Sequence, residues 1–280
     1  MHPADALPSD YFVGPLFTLA CLLVSVAASA FFGMNIGETS CRYRLDYSPH
    51  GRAFGIWSII YTGCVVVCIV EMTGAVPVLS LSVFLWWGAC WLCCGLWVPL
   101  FDDRSLWLLG GALVAIGSGA FTAWAGAAAA EAWVPVDSAS GRALSIAPAL
   151  VWPLSLLAGW LITATSLNVG ILLKAADPES DKTCVRVPPQ KPTESDRQFR
   201  ARRRALIREA NAAAPAVVAF EVWVVAFVVA AATMVARDPV LALPAAWAVV
   251  NMKAWPSWEY IYAVVVVALG AAGAAAAAWA

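Results

Sequence analysis

An all-α integral membrane protein is the fold class this sequence predicts, and three observations predict it. Of 280 residues, 62% are hydrophobic and only 12% are charged, whereas a soluble domain has about 25% charged residues. Apolar runs close to the roughly 20 residues needed to cross a bilayer recur near 11–33, 54–73, 78–101, 105–130, 146–173, 213–236 and 258–280. The basic residues, finally, are segregated among the intervening loops as the positive-inside rule requires.

The first run, 11–33, contains "VAASA", which looks like a signal-peptidase site. Residues 1–10 carry no Lys or Arg, however, and a signal peptide begins with a basic region, so this run is expected to persist as the first helix. The turn-forming stretch "YSPHG" precedes the second run, which opens "FGIWSIIYTG". After the fifth run comes the segment in which the charge is concentrated, beginning at Lys174. Its first half is Pro-rich and expected to be extended. Its second half offers a helix start at Thr193 or Ser195, followed three residues later by Asp196 or Gln198 as in a capping box. Phe199, Leu206 and Ile207 then share a face opposite the arginines, a pattern that suits a helix on the membrane surface with its basic face toward anionic headgroups or a partner. An ordinary positive-inside loop is the alternative.

A shorter run at 239–252, "PVLALPAAWAVVNM", is expected to cross as a short, tilted or partly re-entrant helix, which makes eight spans. Arg42, Arg44, Arg52, Arg104, the ten basic residues between Lys174 and Arg208, and Lys253 then fall on one side, against Arg142 and Arg237 on the other. The expected organisation is a five-helix unit over 1–174, a basic and partly helical loop over 175–212, and a three-helix membrane extension over 213–280. The lipid bilayer is the first partner, and 175–280 offers surfaces for protein partners. No nucleic acid is expected to bind.

Cysteine invites a metal reading, because Cys64 and Cys68 lie one turn apart and Cys90, Cys93 and Cys94 form a C-x-x-C-C. A thiolate site in lipid needs a compensating metal, yet no His or carboxylate accompanies these thiols, and Cys is often simply buried. Packing is therefore expected, and no metal. Glu221, inside the sixth run, is a buried charge that could pair with a neighbouring helix or line a path, or else a carboxylate near the interface. Glu71 and Glu131, at helix ends, are expected to be solvated. The only histidines are His2 and His50, and nothing resembles a hydrolase triad, a metalloprotease helix or a phosphate loop, so an enzyme is not expected. His50 stands near Arg42, Arg44 and Arg52, a grouping suited to an anionic substituent such as a propionate.

Tryptophan is the outlier, with fifteen. Trp107, Trp133, Trp255 and Trp258 fit interfacial belts. Others make stripes at helical spacing: Trp57 and Tyr61; Trp87, Trp91 and Cys94; Trp160, Ala164 and Asn168. Taken alone, such stripes are read as packing.

Three of these stretches, together and in order, carry a resemblance. "FGIWSIIYTG" resembles the start of the second helix of the TspO/MBR family, the tryptophan-rich sensory or translocator proteins, where a Trp is followed four residues later by a Tyr. "LWVPLF", 96–101, is similar to the family's W-x-P-L-F, and "GWLITATSLNVGILL", 159–173, to its W-x-x-x-A-T-x-L-N. The resemblance covers about residues 11–174. It implies a five-helix bundle around a pocket that opens near the loop between the first two helices and takes tetrapyrroles, sterols or synthetic aromatic ligands. It further implies that Trp57 and Tyr61 line the pocket from the second helix, that Trp97 and Pro99 shape the third, and that Trp160, Ala164 and Asn168 face the pocket from the fifth. Cys94 stands where the family has Asn, and "VGILLK" lacks the Tyr of the sterol pattern.

The expected function is thus a non-enzymatic membrane receptor or carrier for a hydrophobic planar ligand, a porphyrin or haem or a sterol-like molecule, admitted through the loop around His50. A structural subunit of a larger membrane complex is the alternative. No cofactor is expected beyond such a ligand.

Overall fold

The computed structural model describes residues 10–33, 51–73, 79–102, 104–131, 147–176 and 239–250, with a few isolated positions between them. Five long helices dominate: α1 (Asp10–Phe32), α2 (Ile56–Met72), α3 (Leu81–Leu100), α4 (Leu106–Glu131) and α5 (Ala147–Ala176). Each contains a stretch long and apolar enough to cross a membrane, so the chain is an integral, multi-pass membrane protein. A 3-10 turn, Gly51–Gly55, leads into α2. A second one, Pro239–Ala242, leads into the eight-residue helix α6 (Leu243–Val250). The expected helices at 213–236 and 258–280, and with them Glu221, lie outside the described residues. In the 239–252 run the described helix spans about 12 Å at 1.5 Å per residue.

The five long helices close on themselves in the spatial order α1, α3, α4, α5, α2. Helices consecutive in the chain are therefore not always neighbours. α2 and α3 face each other across the interior and meet through side chains, as Trp57 and Tyr61 of α2 reach Trp91 of α3.

Small residues decide how the neighbours approach. Between transmembrane helices lipid offers little hydrophobic drive, so close packing of small residues must supply the contact. α1 and α3 interlock in parallel: Phe84 lies over Gly14 and Phe17 over Gly88, positions where a Cβ would collide with those rings. Beside them the buried Thr18 Oγ1 donates to the Phe84 carbonyl at 3.0 Å. Higher up, a Cβ on Gly95 would stand 3.2 Å from the Ser25 Cα. On α4, Gly119 faces Cys93 and Leu161, and Gly126 faces Leu154 and Trp86, so the glycines of this helix let it sit between α3 and α5. Gly63 of α2 is matched in the same way to the Pro153 ring of α5.

Two end effects complete the frame. Pro99 has no N–H to give the helix, and α3 stops at Phe101, whose φ of −78° and ψ of 66° place it at the centre of an inverse γ-turn. The turn is closed by Asp102 N donating to the Leu100 carbonyl at 2.8 Å. At the opposite end Glu71 departs from expectation: it is not solvated but 2% exposed, and its Oε1 accepts from Leu79 N at 3.2 Å. The reason is the free N–H of the turn leading into α3, which a carboxylate can satisfy close to the positive end of that helix. Farther on, Ser195 N donates to Gln198 Oε1 at 3.0 Å, and Gln198 N donates to Ser195 Oγ at 3.3 Å, so Ser195 forms a capping box; Thr193 and Asp196 lie outside the described residues.

The Gly95 contact yields a prediction. Gly95→Leu should lower the melting temperature of the purified protein, because the backbone of α1 cannot yield as a side chain can. Gly110→Leu, at a site where a Cβ meets nothing within 4 Å, should leave it nearly unchanged. Equal effects would contradict this packing.

Candidate functional site

The interior is built from the aromatic stripes of α2, α3 and α5. On α2 the four-residue spacing brings Trp57 and Tyr61 onto one face, and their rings stack at 5.3 Å with an interplanar angle of 24°. Trp91 of α3 meets both, at 6.4 Å from Trp57 and 5.4 Å from Tyr61. Trp160 of α5 presents itself edge-on to Trp57 at 6.2 Å and 81°. Phe54, from the turn before α2, is edge-on to Trp160 at 5.9 Å. Offset and edge-to-face arrangements at 4.5–7 Å are those that the aromatic quadrupole favours, so the cluster is held by geometry as well as by burial. Trp91 and Trp160 are buried, whereas Trp57 and Tyr61 are half-buried and Phe54 is exposed.

Polar groups on this wall are few. The motif "TATSLN" of α5 looks rich in hydrogen-bonding groups, yet its side chains spend their donors on their own helix. Thr163, Thr165 and Ser166 donate to the carbonyls of Gly159, Leu161 and Ile162 at 3.0, 2.7 and 3.1 Å, and Asn168 Nδ2 donates to Ala164 at 2.8 Å. In lipid such self-satisfaction is what allows polar residues in a spanning helix. Asn168 Oδ1 then accepts from Trp97 Nε1 at 2.9 Å, and the Trp97 ring lies 4.9 Å from that of Phe101. Trp97, Phe101 and Asn168 thus form a clasp that ties the end of α3 to α5.

Among the described residues, the buried indole N–H groups of Trp87, Trp91 and Trp124 meet no hydrogen-bond partner. The Cys64 thiol lies beside Trp91, but sulfur is a weak acceptor.

The sequence-predicted residues therefore divide. Trp57, Tyr61 and Trp160 are brought together. Trp97 and Asn168 bond to each other on an adjoining part of the wall, with Ala164 supplying the carbonyl that holds Asn168. His50, with Arg42 and Arg44, lies outside the described residues. In the sequence Trp91 reads as part of a packing stripe and Phe54 does not stand out; the signal for the first is its place on the Trp87–Trp91–Cys94 face, all of it buried. The described cysteines carry free thiols, and among the described residues no three His, Cys, Asp or Glu are grouped to hold a metal ion.

A family model for TSPO-like proteins matches residues 12–182, well over half of the chain. The chain belongs to the TSPO-like family. No curated protein and no solved structure matches it. The family match takes in all five long helices and stops short of Pro239–Val250.

The clasp is open to a direct check. Asn168→Leu keeps the branched shape and the number of heavy atoms but leaves the half-buried Trp97 N–H without its acceptor, a loss of up to roughly 1–3 kcal/mol. In a double-mutant cycle on thermal unfolding, Asn168→Leu and Trp97→Phe should couple by about 0.5–2 kcal/mol. Additive effects would show that the two side chains do not act as a pair.

Proposed function

We propose that this chain is a non-enzymatic membrane receptor or carrier for a flat, hydrophobic ligand of the tetrapyrrole class, with Trp57, Tyr61, Trp91 and Trp160 as its binding surface. The observation that carries the reading is the convergence of these four rings from three helices, two of them half-buried and so open to a further ring. A planar π-system gains from stacking on indoles and from the apolar area it removes from water. The wall formed by Ala164 and the Trp97–Asn168 clasp is apolar apart from groups already paired, which favours a ligand with a broad apolar face. The unpaired Trp91 N–H favours one that also carries a carbonyl or carboxylate. His50, with Arg42, Arg44 and Arg52, is the proposed entrance, where cationic groups would meet anionic substituents. The missing Tyr after Asn168 weighs against a sterol.

A second reading, a non-catalytic accessory subunit of a larger membrane complex, is favoured by the length of chain beyond the family match, which includes most of the basic segment 175–212 and the apolar runs after it.

Titration of the purified full-length protein with protoporphyrin IX, followed by Trp fluorescence and the porphyrin absorption band, separates the two. The receptor reading expects saturable quenching. It also expects Trp57→Ala with Trp160→Ala to weaken binding about tenfold or more, since each lost stacking partner costs ~0.5–1.5 kcal/mol beyond its area. Quenching that does not saturate, or that ignores the double substitution, contradicts it and leaves the accessory role.

A further inference from the structure

We propose that Pro239–Val250 is a built-in strap that closes the α2/α5 edge of the aromatic site, so that a ligand using this edge must wait for the strap to release. The inference rests on the reading of that cluster as the ligand site. It concerns a segment beyond the family match.

Three contacts anchor the strap, and each lies one residue from a ring of the cluster. The Leu241 carbonyl approaches Gly159, the neighbour of Trp160, so closely that a Cβ there would collide with it; only glycine fits. Pro244 closes on the same glycine, its Cδ 3.2 Å from where the Cβ would stand. Trp247 Nε1 donates to the carbonyl of Ala53, the neighbour of Phe54, at 3.0 Å across 194 positions of sequence. Leu241 and Ala248 are fully buried in the same apolar core as the cluster, while Leu243 and Trp247 expose their outer surfaces.

The geometry gives the strap a reason to be there. α2 begins at Ile56, beside Trp160, and α5 runs on to Ala176, about 24 Å farther at 1.5 Å per residue. Over that length α2 cannot cover the flank of α5. The 3-10 turn and α6 pack on α5 at the foot of the stretch that α2 leaves, where Trp57, Phe54 and Trp160 meet. Because the strap is tied at Ala53 as well as at Gly159, its release would loosen the turn that carries Phe54 and leads into Trp57 of α2, along with its own residues.

The test uses the full chain in lipid nanodiscs, with Gly159→Leu to eject the strap and Trp247→Phe to remove one hydrogen bond while keeping the ring. Backbone hydrogen exchange of 243–250 and 53–60 and the association rate of protoporphyrin IX are read together. The strap predicts faster exchange in both segments and association at least about fivefold faster in Gly159→Leu, with smaller changes of the same sign in Trp247→Phe. Unchanged exchange in both variants overturns it, as does raised exchange with an unchanged association rate. Should Gly159→Leu fail to fold, the smaller changes in Trp247→Phe decide alone. If the wild-type chain binds no porphyrin, the ligand reading falls, and the strap stands or falls on exchange at 53–60.

Discussion

Trp91 joins two helices that do not pack backbone to backbone. Its ring meets Trp57 and Tyr61 of α2 from the opposite side of the bundle, and it is fully buried there. A circuit of five helices in the order α1, α3, α4, α5, α2 has an interior that its own backbone does not fill. Large flat side chains must span it or leave a void, and voids forfeit the dispersion contacts that hold helices together in lipid. The same aromatic rings that fill the interior thereby become its chemistry. They are broad and flat, and their hydrogen-bonding capacity is small.

The outer contacts serve the opposite need, bringing backbones close. Gly14, Gly88 and Gly95 seat α3 against α1, and Gly119 and Gly126 seat α4 between its neighbours. Trp97 and Asn168 add a polar tie between α3 and α5. Close walls and a wide, aromatic interior are thus products of one distribution of residues, in which glycine marks the seams and tryptophan marks the centre. The strap follows the same logic, since glycine at 159 admits it and tryptophan at 247 ties it down.

How much of this could be read beforehand follows from the range of each interaction. The five spans were legible because length and apolarity are properties of contiguous sequence, and the Trp57–Tyr61 stack because four residues make one turn. The Ser195–Gln198 capping box was legible for the same local reason. The partner of Asn168 was not, since a helical stripe reveals a face but not what meets it, and Trp97 lies 71 positions away. Glu71 was misjudged as solvated because its acceptor role depends on a turn that brings Leu79 back to it. The docking of 239–250 had no local signature at all. It depends on the absence of a side chain at Gly159, a position that within its own stretch reads as one small residue among several.

The rings of α2, α3 and α5 are proposed to form a ligand surface and not only a packed core. A structure of the full chain in nanodiscs at saturating protoporphyrin IX tests this most directly. Density for the macrocycle is expected against Trp57 and Trp160, with Trp91 Nε1 paired to a ligand oxygen. Density confined to the outer surface of the bundle, with the stack of Trp57 on Tyr61 unchanged at its 5.3 Å spacing, would contradict it.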